Sequence, residues 1–230
     1  MAAPFILQHK SGFVSASGTI SVSFTNPVSK NNMILVCVGT TFTGNATVNT
    51  PTMTGETFSN IAGMSNPGSG TTGQIQSFST NSAAGGQVQV TTTSSSAAFD
   101  IHMHIFEIVG QTSNEATGNI ISTISSLAVT TSTGISNLNN LNIAFFYDRS
   151  GTPSITAGFG YVQVELSNNV ANGDVGFSES GVAQITSTQT ATATSSNADA
   201  FTGVIISILG QGSIYPGDMT PSPDVIPVYS

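Results

Sequence analysis

Two of the chain's three histidines, His102 and His104, stand two residues apart in FDIHMHIFEIVG, residues 99–110. If this run is a strand, Asp100, His102, His104, Phe106 and Ile108 share one face, and Ile101, Met103, Ile105 and Glu107 share the other. Asp100, His102 and His104 are then three metal-ligand types on one face. A metal site also needs ligands from elsewhere, and the pattern does not supply them. Glu107 follows His104 by three residues and falls on the opposite face; no histidine follows His104; His9 lies near the start. The run therefore reads as two imidazoles in a polar stripe on an outer sheet face or at a subunit contact. No metal, cofactor or catalytic residue is expected here.

Other candidate chemistry is weaker still. The segment GFSESG, residues 176–181, does not fit the G-x-S-x-G elbow, and no strand-to-helix turn is expected around it. Glu165, Asp174 and Glu179 are near enough in sequence to suggest the paired carboxylates of glycoside hydrolysis. With no tryptophan to stack on sugar rings and the acids spread over loops, they read as surface solvation. NNVANGDVG, residues 168–176, has the oxygen-rich composition of a calcium loop without its D-x-[DN]-x-[DN]-G spacing. Cys37, the single cysteine, lies in MILVCVG and reads as a buried, inert thiol.

The elements that must position these residues are strands. Period-two segments rich in Val, Ile, Thr and Phe recur between Gly, Asn, Ser and Pro clusters. They predict strands over 19–25, 33–41, 74–79, 87–93, 100–109, 142–147, 161–166, 176–180, 189–194 and 202–209. No long segment carries helical apolar spacing; one short helix near 114–122 is the most that is expected. NNMILVCV, from Asn31, is echoed by NNLNIAFF, from Asn139, and the run ending at Gly110 by the run ending at Gly210. The expected fold is all-β: an antiparallel two-sheet β-sandwich, jelly-roll-like, built from two similar halves at about 11–110 and 118–210. The link at 110–117 is too short and the halves too thin for separate sandwiches, so a single domain over 1–210 with interleaved halves is expected.

Composition narrows the partners. Of 230 residues only 6% are charged, against about 25% in an ordinary soluble protein. Lys10, Lys30 and Arg149 face eleven acids, for a net charge of −8, which leaves no basic footprint for nucleic acid or anionic membrane. A surface of Ser, Thr, Asn, Gln and Gly loses little side-chain entropy when another subunit covers it. No signal peptide is evident at the start, MAAPFILQHK, so the expected location is a virion or a comparable extracellular assembly. The last stretch, 211–230, holds four prolines yet carries apolar residues. It is expected to form an extended arm that docks on a neighbouring subunit through Tyr215, Val225, Ile226, Val228 and Tyr229.

The order of segments resembles a β-sandwich module found in bacteriophage structural proteins and secreted bacterial surface proteins. The likeness rests on NNMILVCVGT, IFEIVG, the glycine-rich AGFGYVQ and DAFTGVIISIL, and covers about 11–210. It implies a sandwich fold and a structural role, and it carries over no catalytic residue. The function expected is a virion or extracellular-assembly structural protein (capsid decoration, fibre or filament subunit) that self-associates with identical subunits and other virion proteins. The alternative is a module that binds carbohydrate or a cell surface, with a host-surface glycan as partner.

Overall fold

The structure is a computed structural model and describes residues 3–41, 47–64, 73–95, 100–122, 125–149, 154–169, 173–196 and 201–210. The expected arm, with Tyr215, Val225, Ile226, Val228 and Tyr229, lies outside the described residues. The first half contributes β1 (Phe5–Ser15), β2 (Thr19–Ser23), β3 (Met33–Thr41), β4 (Ser59–Met64), β5 (Gly73–Thr80), β6 (Gln89–Thr93) and β7 (Asp100–Val109). The second contributes β8 (Gln111–Ser122), β9 (Ser126–Thr130), β10 (Leu141–Asp148), β11 (Ile155–Ala157), β12 (Val162–Asn169), β13 (Asp174–Val182), β14 (Thr190–Ser195) and β15 (Phe201–Gly210).

The chain is all-β, with antiparallel sheets packed face to face. The sheets differ in number from the expected two. Among the described residues there are four, in the orders β1-β7-β3-β5-β4, β2-β6, β12-β13-β10-β15-β8 and β11-β14-β9. Every ladder joins strands of the same half, so the halves stack instead of interleaving. The physical reason lies in the inner strands. All nine residues of β3 and all eight of β10 are buried. A strand covered on both faces needs a layer above and a layer below. Four layers enclose three cores. Ile20, Val22 and Val90 meet Ile34, Val36 and Phe78 in the first half's outer core. Leu127 and Ala193 meet Phe146 and Phe177 in the second's. Between the two large sheets lie Met33, Leu35 and Cys37 against Leu141, Ile143, Phe145 and Tyr147. Burial there pushes the Cys37 thiol up to about 12, which makes it inert.

The two halves repeat one plan. Written from equivalent edges, the large sheets read β1-β7-β3-β5-β4 and β8-β15-β10-β13-β12. The same asparagine turn precedes β3 and β10, with Asn31 at φ 68° and Asn139 at φ 67°. Its amide donates to Ala83 O at 2.8 Å in one half and to Ala183 O at 3.0 Å in the other. Across the middle, β1 packs on β12, β7 on β13, β3 on β10, β5 on β15 and β4 on β8. Exchanging the halves reproduces these pairings, so a pseudo-twofold axis passes between β3 and β10, the geometry of an isologous dimer within one chain.

Two further expectations are corrected. The segment 114–122, expected as a short helix, is strand: β8 runs the length of β15, whose edge would otherwise be open. The expected link at 110–117 is a single turn at Gly110, φ 80°, after which β8 begins at once.

Candidate functional site

His102 and His104 do occupy one face of β7, but that face is neither an outer surface nor a contact between subunits. Both rings are fully buried in the middle layer, where β7 meets β13 and β12. Gly176 makes the room: a Cβ there would lie 3.0 Å from His102 Cβ, 3.1 Å from His104 Nε2 and 2.7 Å from Ser167 Oγ. Ser167 Oγ bridges the rings, 2.8 Å from His102 Nδ1 and 2.9 Å from His104 Nε2, and Ser178 Oγ lies 2.9 Å from His104 Nδ1. His102 Nε2 finds no partner among the described residues. An unpaired lone pair costs less than an unpaired N–H, so this pattern assigns the protons. His102 donates from Nδ1 to Ser167, Ser167 donates to His104 Nε2, and His104 donates from Nδ1 to Ser178.

That chain requires neutral imidazoles, and burial keeps them neutral. It lowers His102 to about 4, against a smaller opposing pull from Asp100. His104 is held well below the ordinary histidine range, first by burial and then by the charges of His102 and His9. Phe13 stacks on His102 with ring centroids 5.6 Å apart, and Phe145 meets His104 edge-on at 4.8 Å.

At the next level along β7, Asp100 accepts from Ser15 Oγ at 2.6 Å and from Asn169 Nδ2 at 2.5 Å. Asp174 approaches the same carboxyl. Burial, and then the hydrogen bond and charge of Asp100, raise Asp174 to about 8, with Arg149 offsetting part of the rise. At neutral pH burial and the neighbouring Asp100 carboxyl therefore favour the protonated form of Asp174. Tyr147 closes the cluster, its hydroxyl 2.8 Å from Thr41 Oγ1. Among the described residues no group of three or more His, Cys, Asp or Glu could hold a metal ion.

The three acids Glu165, Asp174 and Glu179 part company. Glu165 faces β1, where it meets His9 Nδ1 at 2.7 Å and Ser11 Oγ at 2.8 Å. Asp174 and Glu179 fall on opposite faces of β13, as an odd separation on a strand requires. Asn169 and Asp174, from the oxygen-rich segment 168–176, turn inward to Asp100; residues 170–172 lie outside the described residues.

Glu179 leads to a cleft with an exposed aromatic wall. It opens at the end of the second half's outer core and encloses about 650 Å³, between the 158–161 loop, the end of β13 and the segment 184–190. The AGFGYVQ glycines shape it. A Cβ on Gly158 would strike Thr192 Oγ1 at 2.0 Å, Gly160 sits at φ +82°, and a Cβ on Gly181, on the neighbouring strand, would lie 2.7 Å from Gly160 O and 3.2 Å from Tyr161 Cδ1. The loop is pinned on both sides while Phe159, at 104% exposure, stands entirely in solvent. Asn142 and Gln189 form the inner wall, joined Nδ2 to Oε1 at 3.1 Å. Behind them Glu179 accepts from Gly158 N at 3.1 Å. Burial raises Glu179 to about 7. It also raises Tyr161 to about 12, aided by the Glu179 charge and opposed by a bond to Asn142.

The architecture defines a class, a doubled all-β sandwich with a buried polar seam and an open cleft beside Phe159. Compared with known proteins, the chain matches no family model, no curated protein and no solved structure.

Proposed function

We propose that this protein is a structural subunit of a virion or comparable extracellular assembly that acts by self-association. One observation carries the reading: large apolar side chains stand exposed along the paired edge strands β1 and β12, on a surface almost without ionic groups. Ser15 meets Asn169 at 2.6 Å and Ser11 meets Glu165 at 2.8 Å, so the two strands run side by side in the same direction. Phe5, Leu7 and Phe13 project from β1, and Val162 and Leu166 from β12; Val162 is 67% exposed. Edge strands with exposed hydrophobes invite pairing with another chain unless charges guard them, and here Lys10 and Glu165 are the only ionic side chains on either strand besides His9. Pro4 lies against Gly210, so the chain enters 211–230 beside the start of β1.

Sedimentation of the full chain tests this. The expected result is a defined oligomer that is weakened by Val162→Lys and by deletion of residues 212–230, while both variants keep the far-ultraviolet circular dichroism of the parent. A full chain that stays monomeric at every concentration overturns the proposal. Unchanged assembly after the deletion removes the arm from it.

A second reading, a module that binds carbohydrate or a cell surface, is favoured by the cleft and its exposed Phe159.

A further inference from the structure

The pseudo-twofold repeat supplies an internal control for every buried polar residue. Position 142 of β10 corresponds to Ile34 of β3. Glu179, which pairs with Ala144, corresponds to Phe78, which pairs with Val36. Ile34 and Phe78 are ordinary members of the first half's outer core. The second half has an amide and a carboxyl at the same two places, at 2% and 0% exposure, and each keeps one oxygen without a partner among the described residues: Asn142 Oδ1 and Glu179 Oε1. The fold does not require polar groups there, because its other copy does without them. A buried acceptor without a donor is costly, and of these two residues Asn142 belongs to the lining of the cleft while Glu179 lies behind it.

We propose that the cleft around Phe159 and Tyr161 binds an uncharged saccharide chain, with a sugar face stacked on Phe159 and hydroxyls donated toward Asn142 and Gln189. This rests on the second reading above and names its site. The lining matches that ligand in kind. Phe159, Val182 and Ile185 offer exposed apolar surface, and the remaining side chains are amides and hydroxyls with no fixed charge. A pyranose presents the same combination, an apolar C–H face and a rim of hydroxyl donors. About 650 Å³ is within the range of pockets that hold small organic ligands. Anionic saccharides are disfavoured, since no cationic side chain lines the cleft and the whole chain carries −8. The glycine-pinned loop holds the ring in place before a ligand arrives, which limits the ordering cost of binding.

The test is an array of oligosaccharides probed with the full chain. It includes maltotetraose, cellotetraose and chitotetraose as uncharged probes, with sialyllactose and a heparin tetrasaccharide as charged ones. At least one uncharged probe is expected to bind. Phe159→Ala, at a fully exposed position that the fold does not use, is expected to weaken it about tenfold or more, and Phe159→Tyr to restore most of the affinity. Nuclear magnetic resonance shifts on binding are expected at the Asn142 and Gln189 side-chain amides. Saccharide binding that Phe159→Ala leaves unchanged overturns the cleft assignment and leaves the second reading standing. Binding of the charged probes alone overturns the ligand class. No saccharide binding at all overturns both. A synthetic 212–230 peptide that shifts the same amides in place of saccharide shows the cleft to be a seat for the chain's own arm, which also overturns the proposal.

Discussion

Gly39→Ala is expected to destabilise the protein by about 3 kcal/mol, at or above the upper end of ordinary core overpacking. Gly39 sits on β3 where the pseudo-twofold axis crosses the middle layer, and its counterpart at the same place in β10 is Tyr147, 108 residues on (147 − 39). A Cβ at Gly39 would lie 2.7 Å from Tyr147 Cβ and Cγ and 2.8 Å from Cδ2. These are atoms at the root of the side chain, so rotation about χ1 does not clear them, and the two large sheets would have to separate. An axis of this kind brings equivalent positions face to face. Two large residues cannot both occupy them, and the repeat resolves the conflict by pairing the largest side chain of the middle layer with none. Gly12→Ala is the contrasting case: its Cβ would meet only Val22 Cγ2, at 3.0 Å, the tip of a side chain on a partly exposed strand. Urea unfolding is expected to show a midpoint that falls sharply for Gly39→Ala and by under about 1 kcal/mol equivalent for Gly12→Ala. Equal losses in the two variants would remove the axis argument.

The same geometry explains which parts of the architecture were legible in the chain. The doubly buried strands announced themselves: the expected bounds of β3 and β7 coincide with the observed ones, and MILVCVGTT is apolar or compact on both faces. That signal also encoded the four layers. A two-sheet sandwich wants alternation, and MILVCVGTT does not alternate. The outer strands β2, β6 and β9 do alternate, with burial on every second residue. The short strands β9 and β11 were nevertheless absent from the expected set, and β1, β4 and β8 escaped notice for a different reason. Each is an edge strand, and each ladder contains a bulge, at Ile6/Gln8, at Asn60/Ala62 and at two places opposite β8, which breaks the period a reader would follow.

At the site, strand parity correctly placed Asp100, His102 and His104 together. What parity cannot reveal is the facing surface. Ser167 and Ser178 reach the histidines across 63 and 74 residues, and nothing local marks them among the chain's many serines. Gly176 left a trace, since a glycine inside a strand signals close approach. The AGFGYVQ segment stood out by composition, but its partners Asn142 and Glu179 gain meaning only when superposed on Ile34 and Phe78, and that needs the repeat in three dimensions.

Asp174→Asn is expected to become progressively more stabilising relative to the parent as pH rises from about 4 to about 8, by up to about 1.4 kcal/mol per pH unit. The sign follows from the raised value. Folded Asp174 holds its proton to about 8 while the unfolded chain releases it near 3.8, so the parent loses stability across that window and no further above it. Asparagine keeps a donor toward Asp100 and has nothing to ionise. His102 works in the opposite sense. Its folded value of about 4 lies below the ordinary 6.5, so its contribution is complete above 6.5 and drains away as pH falls toward 4. His102→Gln is therefore expected to gain on the parent over that lower window, by a total on the order of 3 kcal/mol. Between 4 and 6.5 the imidazoles of His102 and His104 oppose the carboxyls of Asp174 and Glu179, whose stabilities change the other way. The parent's own profile is consequently expected to be shallow there, and each single variant to tilt it in the direction of the group that remains. Denaturant midpoints of the three proteins at half-unit steps from pH 3.5 to 9 check this. Parallel profiles for parent and Asp174→Asn would mean that folding does not raise the Asp174 carboxyl.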